Sequence, residues 1–257
     1  MTQTLFITSA AVLVYMTVWF VIAQVKGRND IVDVAWGPGF ILAALVSLVV
    51  GGVYTSRGLL ISLLVLMWGI RLAMHIHARN RGKGEDHRYR KWREEWGESV
   101  YLRSFLQVFM LQGVLLVIVA VPVIFVNASP PAPYSWLNLV GIAVWLTGFG
   151  FEAVGDWQLL RFIRDPANRG KLMTGGLWRY TRHPNYFGDA AQWWAYYLIA
   201  LAAGGWWTIF SPIIMTTLLV RVSGAALLEK TMDKRPGYQE YIETTSAFVP
   251  WLPRRKR

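Results

Sequence analysis

Seven stretches of this chain are almost continuously apolar: Thr4–Val25, Ile31–Tyr54, Leu59–His77, Ser104–Val126, Trp136–Glu152, Tyr186–Ala203 and Trp206–Leu228. Each is close to the roughly 20 residues that a helix needs to cross a bilayer. The pattern predicts an all-α integral membrane protein with seven transmembrane helices in a single domain, residues 1–257. Between the runs, polar segments alternate in length. Thr55–Gly58, the proline-rich Asn127–Ser135 and Gly204-Gly205 are short, whereas 78–103, 156–185 and the tail 229–257 are long. The long segments have room to build a site.

Charge gives the pattern a direction. With seven spans, all but Arg57, Arg71 and Arg221 of the 26 Lys and Arg residues fall on the side of the long segments. An excess of positive charge marks the cytoplasmic side, so the N-terminus is expected outside and the C-terminus in the cytoplasm. An even number of spans would scramble that partition. The first run lacks a basic flank and is too long for a cleaved leader, so it reads as a retained span. A net charge of +11 would suggest nucleic acid in a soluble protein, but here it is the signature of a cytoplasmic face, and no nucleic-acid partner is expected. The chain has no cysteine, which excludes disulfides and thiolate chemistry. Its four histidines lack acidic partners at ligand spacing, so no metal is expected.

Polar residues enter five of the runs, always near the cytoplasmic side. Asp33 lies inside the second run, just before Gly37-Pro38-Gly39, which loosens a helix. Arg71, His75 and Arg79 share one face of the third run. Glu152 and Asp156 close the fifth. Asn185, Asp189 and Trp193 form a stripe on the sixth, and Arg221 and Glu229 lie along the seventh. Polar groups at such depth are costly unless they bind something. Together they predict a polar cavity open to the cytoplasm.

The connections supply cations. Segment 78–103 contains Arg79, Arg81, Lys83, Asp86, Arg88 and Tyr89, and segment 161–171 contains Arg164, Asn168, Arg169 and Lys171. Guanidinium forks grip phosphates bidentately. Gly82-x-Gly84 follows a membrane helix, not a strand, and lacks a third glycine, so no Rossmann domain is indicated. The densest cluster is Gly175-Gly176-Leu177-Trp178-Arg179-Tyr180-Thr181-Arg182-His183-Pro184-Asn185-Tyr186-Phe187-Gly188-Asp189. Its donors suit an anion, and Asn185 and Asp189 sit one helical turn apart.

With these residues the chain resembles the steroid 5-alpha-reductase family, including its bacterial membrane members and the related sterol C14 and Δ7 reductases. The motif from Gly176 to Asp189 carries the resemblance. Asp156-Trp157-Gln158, Asn168-Arg169-Gly170-Lys171, Glu85-Asp86-x-Arg88-Tyr89 and Pro236-Gly237-Tyr238-x-x-Tyr241 support it. It extends over roughly residues 28 to 251 and implies an NADPH-dependent reductase that saturates an activated carbon–carbon double bond in a lipid or steroid-like substrate. With the charge bias above, a bacterial inner-membrane setting is expected, with the site facing the cytoplasm. Asn185 and Asp189 match residues at the nicotinamide end, and Asp156 matches a cofactor-binding aspartate. Arg164, Arg169, Lys171, Arg179, Arg182 and His183 fall where basic residues meet the diphosphate or adenosine phosphate. The candidate cofactor set is completed by Arg71, Arg79, Asp86, Arg88, Tyr89, Asn168, Tyr180, Tyr186, Trp193, Arg221 and Glu229.

One departure from the family concerns the acid. The resemblance implies a glutamate on the second helix and a tyrosine on the third. Here the carboxylate is Asp33, with Asp30 as second choice, while the tyrosine position is Trp68, with no phenol nearby. Asp33 and His75 are therefore the candidate catalytic residues.

Two other readings compete. Arg-His-Pro-x-Tyr motifs recur in S-adenosylmethionine-dependent membrane methyltransferases of the isoprenylcysteine or phospholipid type. The Asn185/Asp189 pair, the many cations and a lone Glu229 in place of paired acids favour reduction. A non-catalytic lipid-binding scaffold is supported by the missing tyrosine and opposed by the anion site.

Overall fold

α1 (Thr2–Lys26), α2 (Val32–Gly51) and α3 (Ser56–Asn80) form where the first three apolar runs lie. Gly27, in the left-handed region at φ 64°, ends α1. Thr55 begins α3 by accepting a hydrogen bond from the Gly58 amide at 2.9 Å, relieving one of the unpaired donors of a first turn. The computed structural model describes residues 1–222, 229, 232 and 235–254. Helices and turns account for all the regular structure among the described residues. The expected end of the last run, Leu228, lies outside them.

Five helical stretches are long and apolar enough to cross a membrane: Thr2–Lys26, Val32–Gly51, Ser56–Asn80, His87–Asn127 and Trp136–Arg164. Large apolar side chains stand on their outward faces, with Phe6 74% and Val25 83% exposed on α1. That is the composition of a lipid-facing surface. The remaining two runs form an 18-residue helix, Pro184–Leu201, and the shorter apolar stretch Trp206–Val222.

The chain divides into two compact units. The first contains residues 1–134 and 199–208. In it α2 packs against α1, α3 and α6 (Leu111–Asn127). α2 and α3 touch backbone to backbone, and a Cβ on Gly37 would lie 2.5 Å from the Gly69 carbonyl oxygen. Small residues permit such approach in lipid, where interhelical packing and hydrogen bonds drive association. Near the other end of these helices, buried Asn127 donates to the Ala44 carbonyl at 2.9 Å, Ser47 Oγ at 2.9 Å and Ser62 Oγ at 3.1 Å.

Segment 78–103, expected as a connection, is largely helical. α4 (His87–Trp96), a short turn at Gly97–Ser99 and α5 (Val100–Arg103) lead through a π-helical stretch, Ser104–Met110, directly into α6. Asp86 makes this possible by capping α4, accepting from the Arg88 amide at 2.9 Å.

The second unit contains residues 135–198 and 209 onward. α7 (Trp136–Arg164) starts at a capping box of Ser135 and Asn138. It runs well past the expected end at Glu152, because no helix breaker occurs before Pro166. α8 (Pro184–Leu201) packs on α7 at another pair of glycines, where a Cβ on Gly148 would lie 2.6 Å from the Gly188 carbonyl oxygen. Beside this crossing the buried pairs Glu152–Gln192 (2.7 Å) and Trp145–Tyr196 (2.9 Å) join the two helices. α9 (Phe210–Thr217) and α10 (Tyr238–Thr244) complete the unit.

Candidate functional site

The candidate residues assemble into two clusters, one in each unit. In the first unit, the turn between α1 and α2 is clasped by the chain around residue 85. Asp30, fully buried, takes a bidentate ion pair from Arg28 at 2.7 and 2.6 Å and a hydrogen bond from the Asp86 amide at 3.1 Å. Asn29 donates its amide to Glu85 at 2.6 Å, and Arg93 donates to the Gly27 carbonyl. Asp30 is thus committed to structure, which leaves Asp33 as the carboxylate of the second helix.

That clasp seats α4 against α2. The Tyr89 hydroxyl donates to Asp33 Oδ1 at 2.7 Å, and Arg88 lies 4.0 Å from Asp33 Oδ2. Arg88 also binds Asp86 at 3.0 Å. Burial alone would raise the Asp86 carboxyl, but the hydrogen bonds and charge of Arg88 hold it below the usual range. Asp33, Asp86, Arg88 and Tyr89 therefore stand together. Arg71 and His75 are half-buried on α3, and Arg79 is exposed near its end.

In the second unit, the motif residues fold as a turn docked on α7. Gly176 adopts φ 61°, which glycine tolerates without strain, and a side chain there would strike the Gln158 amide. Gln158 accepts from the Leu177 amide at 3.0 Å, and Trp178 donates its indole N–H to the Gly155 carbonyl at 3.1 Å. This holds Thr181, Arg182 and His183, all buried, at the start of α8.

Arg182 is gripped from one side by Glu229, at 3.0 Å through Nε and 2.8 Å through Nη2, and from another by the Thr245 carbonyl at 2.9 Å. His183 Nε2 lies 3.1 Å from the same Glu229 oxygen. Because a carboxylate only accepts, that nitrogen carries the proton. Burial pushes His183 below its ordinary value, against the pull of Glu229, so the ring is neutral near pH 7. Tyr186 stacks on it, with ring centroids 5.6 Å apart.

Around this triad opens a cavity of about 680 Å³. Its wall includes seven of the expected residues: Arg164, Asn168, Arg169, Lys171, Arg182, His183 and Glu229. Among the described residues, Arg164, Arg169 and Lys171 make no ion pair. Sequence reasoning missed Phe162, Met232 and Arg235, and it gave no role to Tyr238 and Tyr241, although both stood in a motif noted above.

The other expected residues lie outside the cavity wall. Asp156 accepts from Asn185 Nδ2 at 3.0 Å, bridging α7 and α8. Asn185 Oδ1 is buried with no donor among the described residues. Asp189, one turn on, and Trp193 are buried, with Trp193 edge-on to Tyr196. Arg179, Tyr180 and Arg221 are exposed.

The geometry fits a phosphorylated dinucleotide. Cations without ion-pair partners line a cavity large enough for much of such a molecule, and the buried Asn185 Oδ1 has acceptor capacity left over. Among the described residues no cluster of His, Asp and Glu is suited to a metal.

Comparison with known proteins agrees in direction. The chain is similar to 3-oxo-5-alpha-steroid 4-dehydrogenase 1 of Rattus norvegicus, 34% identical over 115 residues, which is 44% of this chain and 41% of that one. The Homo sapiens protein of the same name is 39% identical over 61 residues, 23% of each chain. The chain thus spans well under half the length of these relatives. An uncharacterized protein of Schizosaccharomyces pombe is 24% identical over 226 residues, 77% of this chain and 64% of that one. No solved structure matches this chain. The family profile described as Protein of unknown function (DUF1295) matches residues 19–245, and the chain, homologous over part of its length to the steroid 5-alpha-reductases, belongs to the DUF1295 family.

Proposed function

We propose that the protein is an NADPH-dependent membrane reductase that saturates an activated, enone-type double bond in a steroid-like or other lipid substrate. The cavity walled by Arg164, Arg169, Lys171, Arg182 and Arg235 carries this reading, because so many cations exceed what a cofactor without phosphates needs. The similarity to steroid dehydrogenases supports the substrate class. The topology that accompanies it has seven spans, with α8 and Trp206–Val222 as the last two, the N-terminus outside and the polar cavity facing the cytoplasm. The chain acts as a single seven-helix domain.

NADPH, when bound, supplies a hydride to the electron-poor carbon of the double bond. The chain's own residues do the rest. Arg164, Asn168, Arg169, Lys171 and Arg235 hold the phosphates. Arg182, fixed by Glu229, shapes the wall, and Asn185, fixed by Asp156, receives the nicotinamide amide with Asp189 beside it. Asp33 and Tyr89 form the acid. With Asp33 protonated the bond reverses, Asp33 donating to the Tyr89 oxygen, so the phenol O–H is free to hydrogen-bond the substrate carbonyl and stabilise the enolate charge that develops there, keeping its proton. In this assignment Tyr89 takes the donor role that the sequence suggested for His75. Water protonates the neighbouring carbon.

Thermal unfolding of the detergent-purified protein with NADPH, NADH and S-adenosylmethionine in parallel tests the reading, since a ligand that binds only the folded state raises Tm. Selective stabilisation by NADPH is expected. Stabilisation by S-adenosylmethionine alone would make the protein a methyltransferase.

A further inference from the structure

Residues 238–254 form a strap across the motif turn. Arg182 donates its amide to the Ser246 carbonyl at 2.9 Å, Thr181 Oγ1 donates to the Phe248 carbonyl at 2.8 Å, and Trp251 donates its amide to the Tyr180 carbonyl at 2.9 Å. Tyr241 fixes the strap's other end through the Trp178 carbonyl. The strap is therefore held on residues 178–182, just before Pro184, where α8 begins. Its far surface is unlike an aqueous one, for Trp251 is 73% and Leu252 75% exposed. Arg254 follows, also exposed, and the sequence continues Arg255-Lys256-Arg257. A hollow of about 260 Å³ lies between the two kinds of residue, with Val249, Trp251 and Leu252 on its wall beside Ser246, Thr244 and Arg254.

We propose that this strap docks on anionic lipid headgroups, with Trp251 and Leu252 at the acyl boundary and Arg254 on the phosphates. Tryptophan favours that depth, and juxtamembrane basic clusters are drawn to anionic leaflets. An apolar and a basic signal together anchor a surface where either alone is weak. The inference rests on α8 being a span, as the proposed topology has it, because only then does the strap lie at the bilayer surface.

The absence of cysteine makes the test specific. Leu252→Cys, labelled with a polarity-sensitive fluorophore, is placed as full-length protein in nanodiscs of phosphatidylcholine with or without phosphatidylglycerol. Severalfold brighter, blue-shifted emission is expected with phosphatidylglycerol, quenched by lipids spin-labelled near the headgroup. It should be lost when Arg254, Arg255, Lys256 and Arg257 are all changed to Gln. An aqueous spectrum in both discs overturns the proposal. So does a shift that depends on protein concentration and ignores the lipid quencher, which would indicate a second copy of the chain. Labelling of Ala203→Cys and Leu252→Cys by an impermeant reagent in sealed vesicles tests the span separately. Opposite faces uphold the topology, so that a failed docking result falls on the strap alone; the same face removes both.

Discussion

The Tyr89 hydroxyl lies 2.7 Å from Asp33 Oδ1 although 56 residues separate them in sequence. The contact exists because Asp86 caps α4 and the Arg28–Asp30 pair holds the preceding turn. In the proposed mechanism this carboxyl and phenol form a two-member acid, whose members should act as a unit.

Tyr89→Phe removes the donor and leaves the ring. Turnover with an enone lipid should fall by roughly 10²- to 10³-fold, the usual loss for one oxyanion-stabilising group, while NADPH still raises Tm. Asp33→Asn should behave similarly, and the double variant should be little worse than the poorer single one. Normal turnover in Tyr89→Phe would clear the phenol of any role in the reaction.

What the sequence made legible was the apolar skeleton. Helices appear at each of the seven runs, and only polar detail at their ends was misjudged, as where α7 continues twelve residues past Glu152 to Arg164. Composition carries that information locally. The pairings across long sequence separations were not legible. Glu229 was noted as a lone acid, but nothing in its neighbourhood reveals that it clamps Arg182 and His183. Likewise, Tyr89 stands in a noted motif while Trp68 occupies the tyrosine position of the third helix, and periodicity does not say that segment 78–103 folds back as a helix and brings its phenol to Asp33.

The cavity's cations give a second prediction. Arg169 and Lys171 are exposed and make no ion pair among the described residues, so they are available to a phosphate. Arg169→Ala and Lys171→Ala should each weaken NADPH binding by about tenfold, equivalent to about 1.4 kcal/mol, with less effect on NADH, and should flatten its dependence on salt. Titration calorimetry reads this directly. Equal losses for NADPH and NADH would mean that these residues do not read the extra phosphate.

The α7–α8 crossing predicts a purely structural effect. A methyl at residue 188 would fall within van der Waals distance of the Gly148 carbonyl oxygen and the Glu152 amide nitrogen, both backbone atoms that cannot swing away. Gly188→Ala should cost ~1–3 kcal/mol, the usual range for overpacking, and lower Tm in detergent. Gly150→Ala, on α7 of the same crossing pair but facing open space, serves as the control. Similar Tm values for the two variants would show that the helices do not cross at Gly188.

The triad of Arg182, His183 and Glu229 makes stability depend on pH in a definite direction. Burial pushes His183 below its ordinary value, although the Glu229 carboxylate opposes this. The unfolded chain begins to protonate the ring near the ordinary value of about 6.5, at a pH where the folded protein still holds it neutral. Below that point the unfolded state binds more protons, so stability falls as the pH drops, until the folded-state imidazole titrates as well. Above it the group contributes no pH dependence. His183→Gln keeps a side-chain donor for Glu229 and removes the titration, so its Tm should decline less than that of the wild type on acidification from about 7.5 to about 5.5. Glu229→Gln removes the carboxylate that favours the protonated ring, so its decline should be steeper. Parallel Tm–pH slopes for the wild type and His183→Gln would show that burial does not hold the imidazole below its ordinary value in the folded protein.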